Sequence, residues 1–165
     1  MNNIVLIGMP ASGKSTVGVI LAKVLKRSFI DTDLIIQTKT DKTLVEIIEN
    51  EGIDAFIAIE NRIVSSLQVE NSVIATGGSV IYGENAMLHL KSIGKVVYLC
   101  LDFEEISSRL KDIKSRGIVM KAGKSLYDVY IERTPLYEKY ADVTVDLNNC
   151  TVEQAVERIT DALNK

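Results

Sequence analysis

The sequence predicts an α/β fold built on a parallel sheet, and three observations carry that prediction. Five short runs rich in Val and Ile are continuous rather than alternating, as strands covered on both faces are. Between them lie segments whose apolar residues recur at spacings of three and four, the period of a helix with one buried face. A glycine-rich turn directly follows the first run. Strands that alternate with helices imply right-handed crossovers between parallel neighbours.

The elements follow in order. Asn3–Ile7 (NIVLI) is the first strand, and Val17, Ile20, Leu21, Val24 and Leu25 mark the helix after the turn. Phe29–Asp31 is the second strand. Thr38-Lys-Thr-Asp41 closes a helical pattern and reads as a helix end and turn. Thr43 followed by Glu46 forms a capping box, with Leu44, Ile47 and Ile48 behind it and Gly52 as the stop. A further helix carries Phe56, Ile59, Ile63, Val64 and Leu67. Ser72–Ala75 and Lys95–Leu101 are the third and fourth strands, with Met87-Leu-His89-Leu helical before the fourth and His89 partly exposed. Val143–Asp146 is the fifth strand, and Val152, Val156, Ile159 and Leu163 define the last helix. Cys100 reads as a strand-core thiol; Tyr127, Tyr130 and Tyr137 read as packing and rim aromatics. Ile48–Asn50 and Ile59–Asn61 repeat three letters within two helices and are no structural repeat. No Pro- or Ser-rich linker interrupts the chain, so residues 1–165 are expected to form one domain.

Composition excludes several functions. With 25% charged and 47% hydrophobic residues over 165 positions, the chain can bury a real core. A net charge of −3 gives no general pull toward nucleic acid. No apolar run approaches the roughly 20 residues of a membrane-spanning helix, and the opening MNNIVLIG lacks a basic leader. Cys100 and Cys150 are too few for a disulfide framework, so reduced thiols in a cytoplasm are expected. With His89 as the single histidine, a metal–histidine cluster and a Ser/His/Asp triad are excluded.

The strongest signal is Gly8-Met-Pro-Ala-Ser-Gly13-Lys14-Ser15, which matches G-x-x-x-x-G-K-[ST] between a strand and a helix. Gly8 lets the chain turn out of the strand, and Gly13 lets backbone N–H groups approach phosphates. The N-terminus of the following helix adds its dipole. Lys14 is expected to lie exposed in the loop and to reach the β- and γ-phosphates, and the Ser15 hydroxyl is placed to ligate Mg²⁺. A guanine-reading motif would belong late in the chain after a strand. Thr38-Lys-Thr-Asp41 has that spelling but comes too early, so a small ATP-using phosphotransferase is favoured over a GTPase. Residues 103–124 carry six Lys/Arg against three acids, with Gly117 and Gly123 among them. Read alone, that segment fits a mobile cover for an anion or a solvated helix and loop.

Taken together, these pieces resemble shikimate kinase, within the nucleoside-monophosphate-kinase-like group of phosphate-loop folds. The resemblance rests on Gly8–Thr16, Phe29-Ile-Asp31-Thr-Asp33, the Phe56…Glu60 helix, Ala75-Thr-Gly77-Gly78, Arg109 with Arg116-Gly117, and Arg133-Thr-Pro135-Leu-Tyr137. It implies a three-layer fold: a five-stranded parallel sheet in the order 2-3-1-4-5, helices on both faces, acceptor-binding helices at about 33–68 and a mobile lid at about 103–124. It implies ATP bound by Pro10, Ala11, Ser12, Gly13, Lys14, Ser15 and Thr16, with Arg109 beside adenine and Arg116 on the γ-phosphate. Asp31 is implied to support the Mg²⁺ water shell, and Asp33 to hold the acceptor hydroxyl. Gly77, Gly78 and Arg133 are implied to bind the acceptor, with Arg133 on its carboxylate. Lys14, Asp33 and Arg116 are thus the expected catalytic residues.

The chain also departs from the family pattern. Ile57 follows Phe56 where the family has an arginine for the acceptor carboxylate. Gly77-Gly78-Ser79 stands where it has three glycines, and Arg116-Gly117 where it has Arg-Pro. The first two departures lie on the acceptor side. The expected activity is phosphoryl transfer from ATP to shikimate or a related hydroxy acid, by a cytoplasmic monomer that binds neither nucleic acid nor membrane. The alternatives are a kinase for a different polyol, sugar acid or nucleotide, and a non-catalytic nucleotide switch; the acceptor-side Asp33 and Arg133 speak against a switch.

Overall fold

The computed structural model describes residues 2–111 and 118–165. Arg116 and Gly117, and with them the middle of the basic segment, lie outside the described residues. The strands β1 (Asn3–Ile7), β2 (Ser28–Asp31), β3 (Ser72–Ala75), β4 (Gly94–Cys100) and β5 (Val143–Asp146) form one sheet in the order β2-β3-β1-β4-β5, every pair parallel. All five residues of β1 are buried, as its unbroken apolar run requires of the central strand. Leu6 and Asp31 both pair with Ala75, so β1, β3 and β2 end level with one another. The loops leaving these three strands therefore meet at one edge, the crevice where open parallel sheets bind ligands.

Helix α1 (Lys14–Val24) packs over β1, β2 and β3 and against α8 (Val152–Leu163), which lies on β5. Helices α2 (Thr32–Thr40), α3 (Leu44–Glu51) and α4 (Ile53–Ser65) follow β2. The turn at Thr38–Asp41 forms as expected, with Asp41 at φ 53° closing α2. The Thr43–Glu46 capping box is complete, and Gly52, at φ 88°, separates α3 from α4. Ile36, Ile47, Phe56 and Ile63 give these three helices an apolar cluster of their own, with Ile57 packed against it. Helix α5 (Glu84–Ile93) packs on α4 and β4, and α6 (Phe103–Lys111) and α7 (Leu126–Tyr140) complete the chain. His89 is half-buried on α5, its Nε2 2.7 Å from the Leu67 carbonyl. No helix among the described residues is long and apolar enough to cross a membrane.

Candidate active site

The loop after β1 is shaped by its glycines. Gly8 has φ 151°, and a Cβ there would stand 2.8 Å from the Leu99 carbonyl oxygen, so the sharp exit from the central strand admits only glycine. Gly13, at φ 90°, is the N-cap of α1, and the Ser12 N–H donates to the Met9 carbonyl at 3.1 Å. The expectation of an exposed Lys14 does not hold: its residue exposure is 7%. The ammonium turns back over its own loop and donates to the Gly8 and Met9 carbonyls at 2.7 and 2.8 Å and to Ser12 Oγ at 3.3 Å. Carbonyls that the tight turn points inward need a donor, and the lysine supplies it.

At the end of β2, Asp31 serves two neighbours. One carboxylate oxygen caps α2 by accepting the Asp33 N–H at 3.0 Å, and the other accepts from Ser15 Oγ at 3.1 Å. The helix begins at Thr32, so the strand has ended before Asp33, which sits in the first turn of α2. Both carboxylates nevertheless line the same cavity. Burial, and then the Asp31 carboxylate, push the Asp33 pKa up to about 6, with Lys14 partly opposing them. No cluster of three or more His, Cys, Asp or Glu side chains suited to a metal occurs among the described residues. A hydroxyl beside a single carboxylate fits Mg²⁺, which takes oxygen ligands and fills the rest of its shell with water and substrate phosphates.

Beyond β3, Gly77 and Gly78 line that cavity as expected. A Cβ on Gly77 would stand 2.8 Å from both Asp33 Oδ1 and Glu60 Oε1, and one on Gly78 would press on Pro10 and come within 3.1 Å of Arg133 Nη1. Arg133 projects from α7 and is 1% exposed. Its Nη2 donates to the Val119 carbonyl at 2.5 Å, its Nε meets the Tyr82 hydroxyl at 3.4 Å, and its guanidinium lies 5.4 Å from the centre of the Tyr82 ring.

A cavity of about 500 Å³ joins these parts and is lined by Pro10, Ala11 and Gly13 to Thr16 together with Asp31, Asp33, Gly77, Gly78 and Arg133. A second cavity, about 420 Å³, continues past Gly13 and Thr16 and is walled by Arg109, Cys150 and Thr151. Arg109 is held there by Glu105 at 3.0 Å and by the Ala11 carbonyl at 3.2 Å. Arg116 lies outside the described residues.

Sequence reasoning quoted Glu60 as the end of a helical motif, Ser79 as an acceptor-side departure and Tyr137 as a packing aromatic, but gave none of them, nor Tyr82, a role in the site. Glu60 is 1% exposed and accepts from Ser79 Oγ at 2.7 Å. The signal for it was present: Glu60 stands between Phe56 and Ile63, at helical spacing from both, so a carboxylate occupies the apolar stripe of α4.

The comparisons with known proteins agree with this fold. The family described as shikimate kinase matches residues 10–164. A shikimate kinase of Clostridium botulinum (strain Okra / Type B1) is 40% identical over 170 residues, covering 100% of this chain and 98% of that one. One from Bacillus mycoides (strain KBAB4) is 32% identical with both chains covered in full. Among solved structures, the shikimate kinase of Acinetobacter baumannii in complex with shikimate superposes with a TM-score of 0.89 at 32% identity, covering 99% of this chain and 93% of that one. A phosphate loop on the central strand, the strand order and full-length similarity at this level lead to one assignment: the chain belongs to the shikimate kinase family.

Proposed function

We propose that this chain transfers the γ-phosphoryl group of ATP to a hydroxyl of shikimate. One observation carries the reading: residues of the phosphate loop line a single cavity together with Asp33 and Arg133. A kinase needs a nucleotide cradle and an acceptor pocket that share one space, because in-line transfer depends on positioning. A nucleotide switch has no use for the second half.

In this reading the backbone from Pro10 to Thr16 holds the phosphates, and Lys14 places its charge beside them. Ser15 and Asp31 would hold Mg²⁺, which supplies charge neutralisation on the phosphate oxygens. Asp33 orients the acceptor hydroxyl and takes its proton; a carboxyl at about 6 is ionised near neutrality yet more basic than an ordinary aspartate. Gly77 and Gly78 let the acceptor approach the backbone, and Arg133 meets its carboxylate. Arg109 borders the cavity suited to adenine, and Arg116 is assigned to the γ-phosphate from the family pattern alone. Residues 33–68 then serve as acceptor-binding helices and 103–124 as the lid, in a single domain that works as a cytoplasmic monomer.

Ile57 favours a second reading, a kinase for another polyol or hydroxy acid, because an apolar side chain stands where the family pattern places a carboxylate-binding arginine. Coupled ADP release with ATP, Mg²⁺ and a panel of hydroxylated acids decides between them. Turnover highest with shikimate is expected; ready turnover of another acid with negligible shikimate activity selects the second reading.

A further inference from the structure

Glu60 is a buried acid that the reaction described above leaves unused. Its Oε2 accepts from Ser79 Oγ at 2.7 Å. Its Oε1 is buried and has no hydrogen-bond partner among the described residues. That oxygen lies against Gly77, where a Cβ would stand 2.8 Å from it and equally 2.8 Å from Asp33 Oδ1. The two carboxyl oxygens therefore flank one gap that only a glycine leaves open, no farther apart than twice that distance. An ionised carboxylate with one oxygen desolvated and unpaired is the costly form; a protonated carboxyl puts a donor there instead.

The charges around Glu60 point the same way. Asp33 on α2 opposes ionisation, and Arg133 on α7 favours it. Tyr137, also on α7, is held neutral by its burial. Ile57 and Phe56, preceding it on α4, add no charge. Burial outweighs the Ser79 hydrogen bond and Arg133, and raises the Glu60 pKa from 4.5 to about 7. Of the two acceptor-side departures from the family pattern, Ser79 donates to this side chain and Ile57 lies a helical turn before it.

We propose that Glu60 is a positioning residue of the acceptor site that works with its carboxyl protonated. Oε1 donates into the gap beside Gly77 and holds Asp33 Oδ1, directly or through one bridging oxygen, so that the other Asp33 oxygen faces the acceptor. Ionisation of Glu60 sets two like charges across that gap and turns Asp33 away from its working position. This rests on the reading of the cavity as the acceptor site of a kinase.

The test is the pH dependence of the shikimate KM from pH 6 to 8.5, with the ATP KM measured alongside. If only the protonated form positions Asp33, the wild-type shikimate KM rises about tenfold per pH unit once Glu60 is ionised. Glu60→Gln keeps a donor at any pH, so its KM stays within about threefold of the wild-type value at pH 6 and does not rise. Glu60→Ala raises the KM at pH 6, abolishes its rise with pH, and leaves the ATP KM within about twofold. Ser79→Ala removes the bond that favours the ionised form and moves the wild-type rise to higher pH; it also keeps the test open if a Glu60 variant does not fold. A Glu60→Gln profile that rises like the wild type, or a pH 6 KM as poor as that of Glu60→Ala, overturns the proposal, as does a flat wild-type profile. Absence of any shikimate-dependent ADP release by the wild type overturns the reading of shikimate as the acceptor, and this inference as stated with it.

Discussion

The hydroxyl of Tyr137 donates to the carbonyl of Gly78 at 2.6 Å, joining the core of α7 to the backbone that lines the main cavity. Tyr137 is fully buried, its ring stacked on Tyr98 with centroids 5.1 Å apart. Burial pushes its phenol pKa well above the ordinary value, so the group remains a donor. Arg133, one turn earlier on the same helix, reaches the cavity directly. A single helix thus carries both a cation that lines the cavity and a clamp on the backbone of Gly78 beside it.

Tyr137→Phe keeps the ring and removes the donor. A buried carbonyl left unpaired costs about 1–3 kcal/mol, which lowers the thermal midpoint by a few degrees in a chain of this size. The acceptor KM is expected to rise several-fold, with the ATP KM unchanged. Steady-state kinetics and thermal unfolding check both; a variant identical to wild type in each would show that the clamp does nothing.

Lys14→Ala is expected to lower kcat by about two to three decades, since a positioned charge at a developing anion supplies roughly 3–4 kcal/mol. The burial of Lys14 adds a second consequence. Its ammonium satisfies the Gly8 and Met9 carbonyls, so the variant also loses some stability, whereas an exposed lysine would leave the midpoint untouched. Turnover within a few-fold of wild type would remove the loop from the active site.

The sheet was legible because its strands are buried on both faces and so leave continuous apolar runs; β1, β3 and β5 begin and end where the sequence places them. Helix α7 was harder to read. Pro135 lies inside it and Arg133 is buried in it, so neither composition nor apolar spacing announces the element, although Ser125 and Asp128 do form a capping box. The phosphate loop was legible as a motif, and Asp31, Asp33 and Arg133, which line the cavity with it, were named from the resemblance. Glu60 was legible only as a carboxylate in the apolar stripe of α4, because its role depends on Gly77 and Ser79, which meet it only after β3 and α4 pack. The inward turn of Lys14 escaped for the same reason: local sequence fixes that the lysine is there, and the loop carbonyls fix where it points.

Glu60 also makes stability depend on pH. Its carboxyl is raised in the folded state, from 4.5 to about 7, so the folded protein binds this proton more tightly than the unfolded chain. The contribution is complete below pH 4.5, is lost as pH rises through about 7, and is constant above that. At roughly 1.36 kcal/mol per pH unit, the interval amounts to about 3 kcal/mol. Thermal midpoints of wild type and Glu60→Gln measured from pH 5 to 8.5 should therefore diverge, the wild type losing stability relative to the variant as pH rises. Parallel curves would mean that Glu60 is ionised throughout.

Ile57→Arg tests the acceptor itself. Ile57 is half-buried against the Ile36, Ile47, Phe56 and Ile63 cluster, and it lines a small cavity of about 120 Å³ behind Arg133 rather than the main cavity. Val119 and Arg133 border both spaces, so the introduced side chain has to run its stem along the cluster and pass its guanidinium between them. If shikimate is the acceptor, Arg133 alone holds its carboxylate, and a second charge-assisted bond, at about 1.5–3 kcal/mol, tightens binding by roughly ten- to a hundredfold. The displaced packing, and Lys121 and Lys124 on the wall of the small cavity, hold the gain toward the lower figure. Shikimate KM is expected to fall with little change in kcat, because the contact is made alike in ground and transition states. The thermal midpoint should also drop, because the apolar cluster loses a member. The introduced guanidinium would stand one helical turn from Glu60, so it should also favour the ionised carboxyl and shift the pH dependence of the variant's KM away from the wild-type curve. A stably folded Ile57→Arg that gains nothing with shikimate, in a protein whose wild type turns over another hydroxy acid readily, would mean that Ile57 belongs to a pocket shaped for that other molecule.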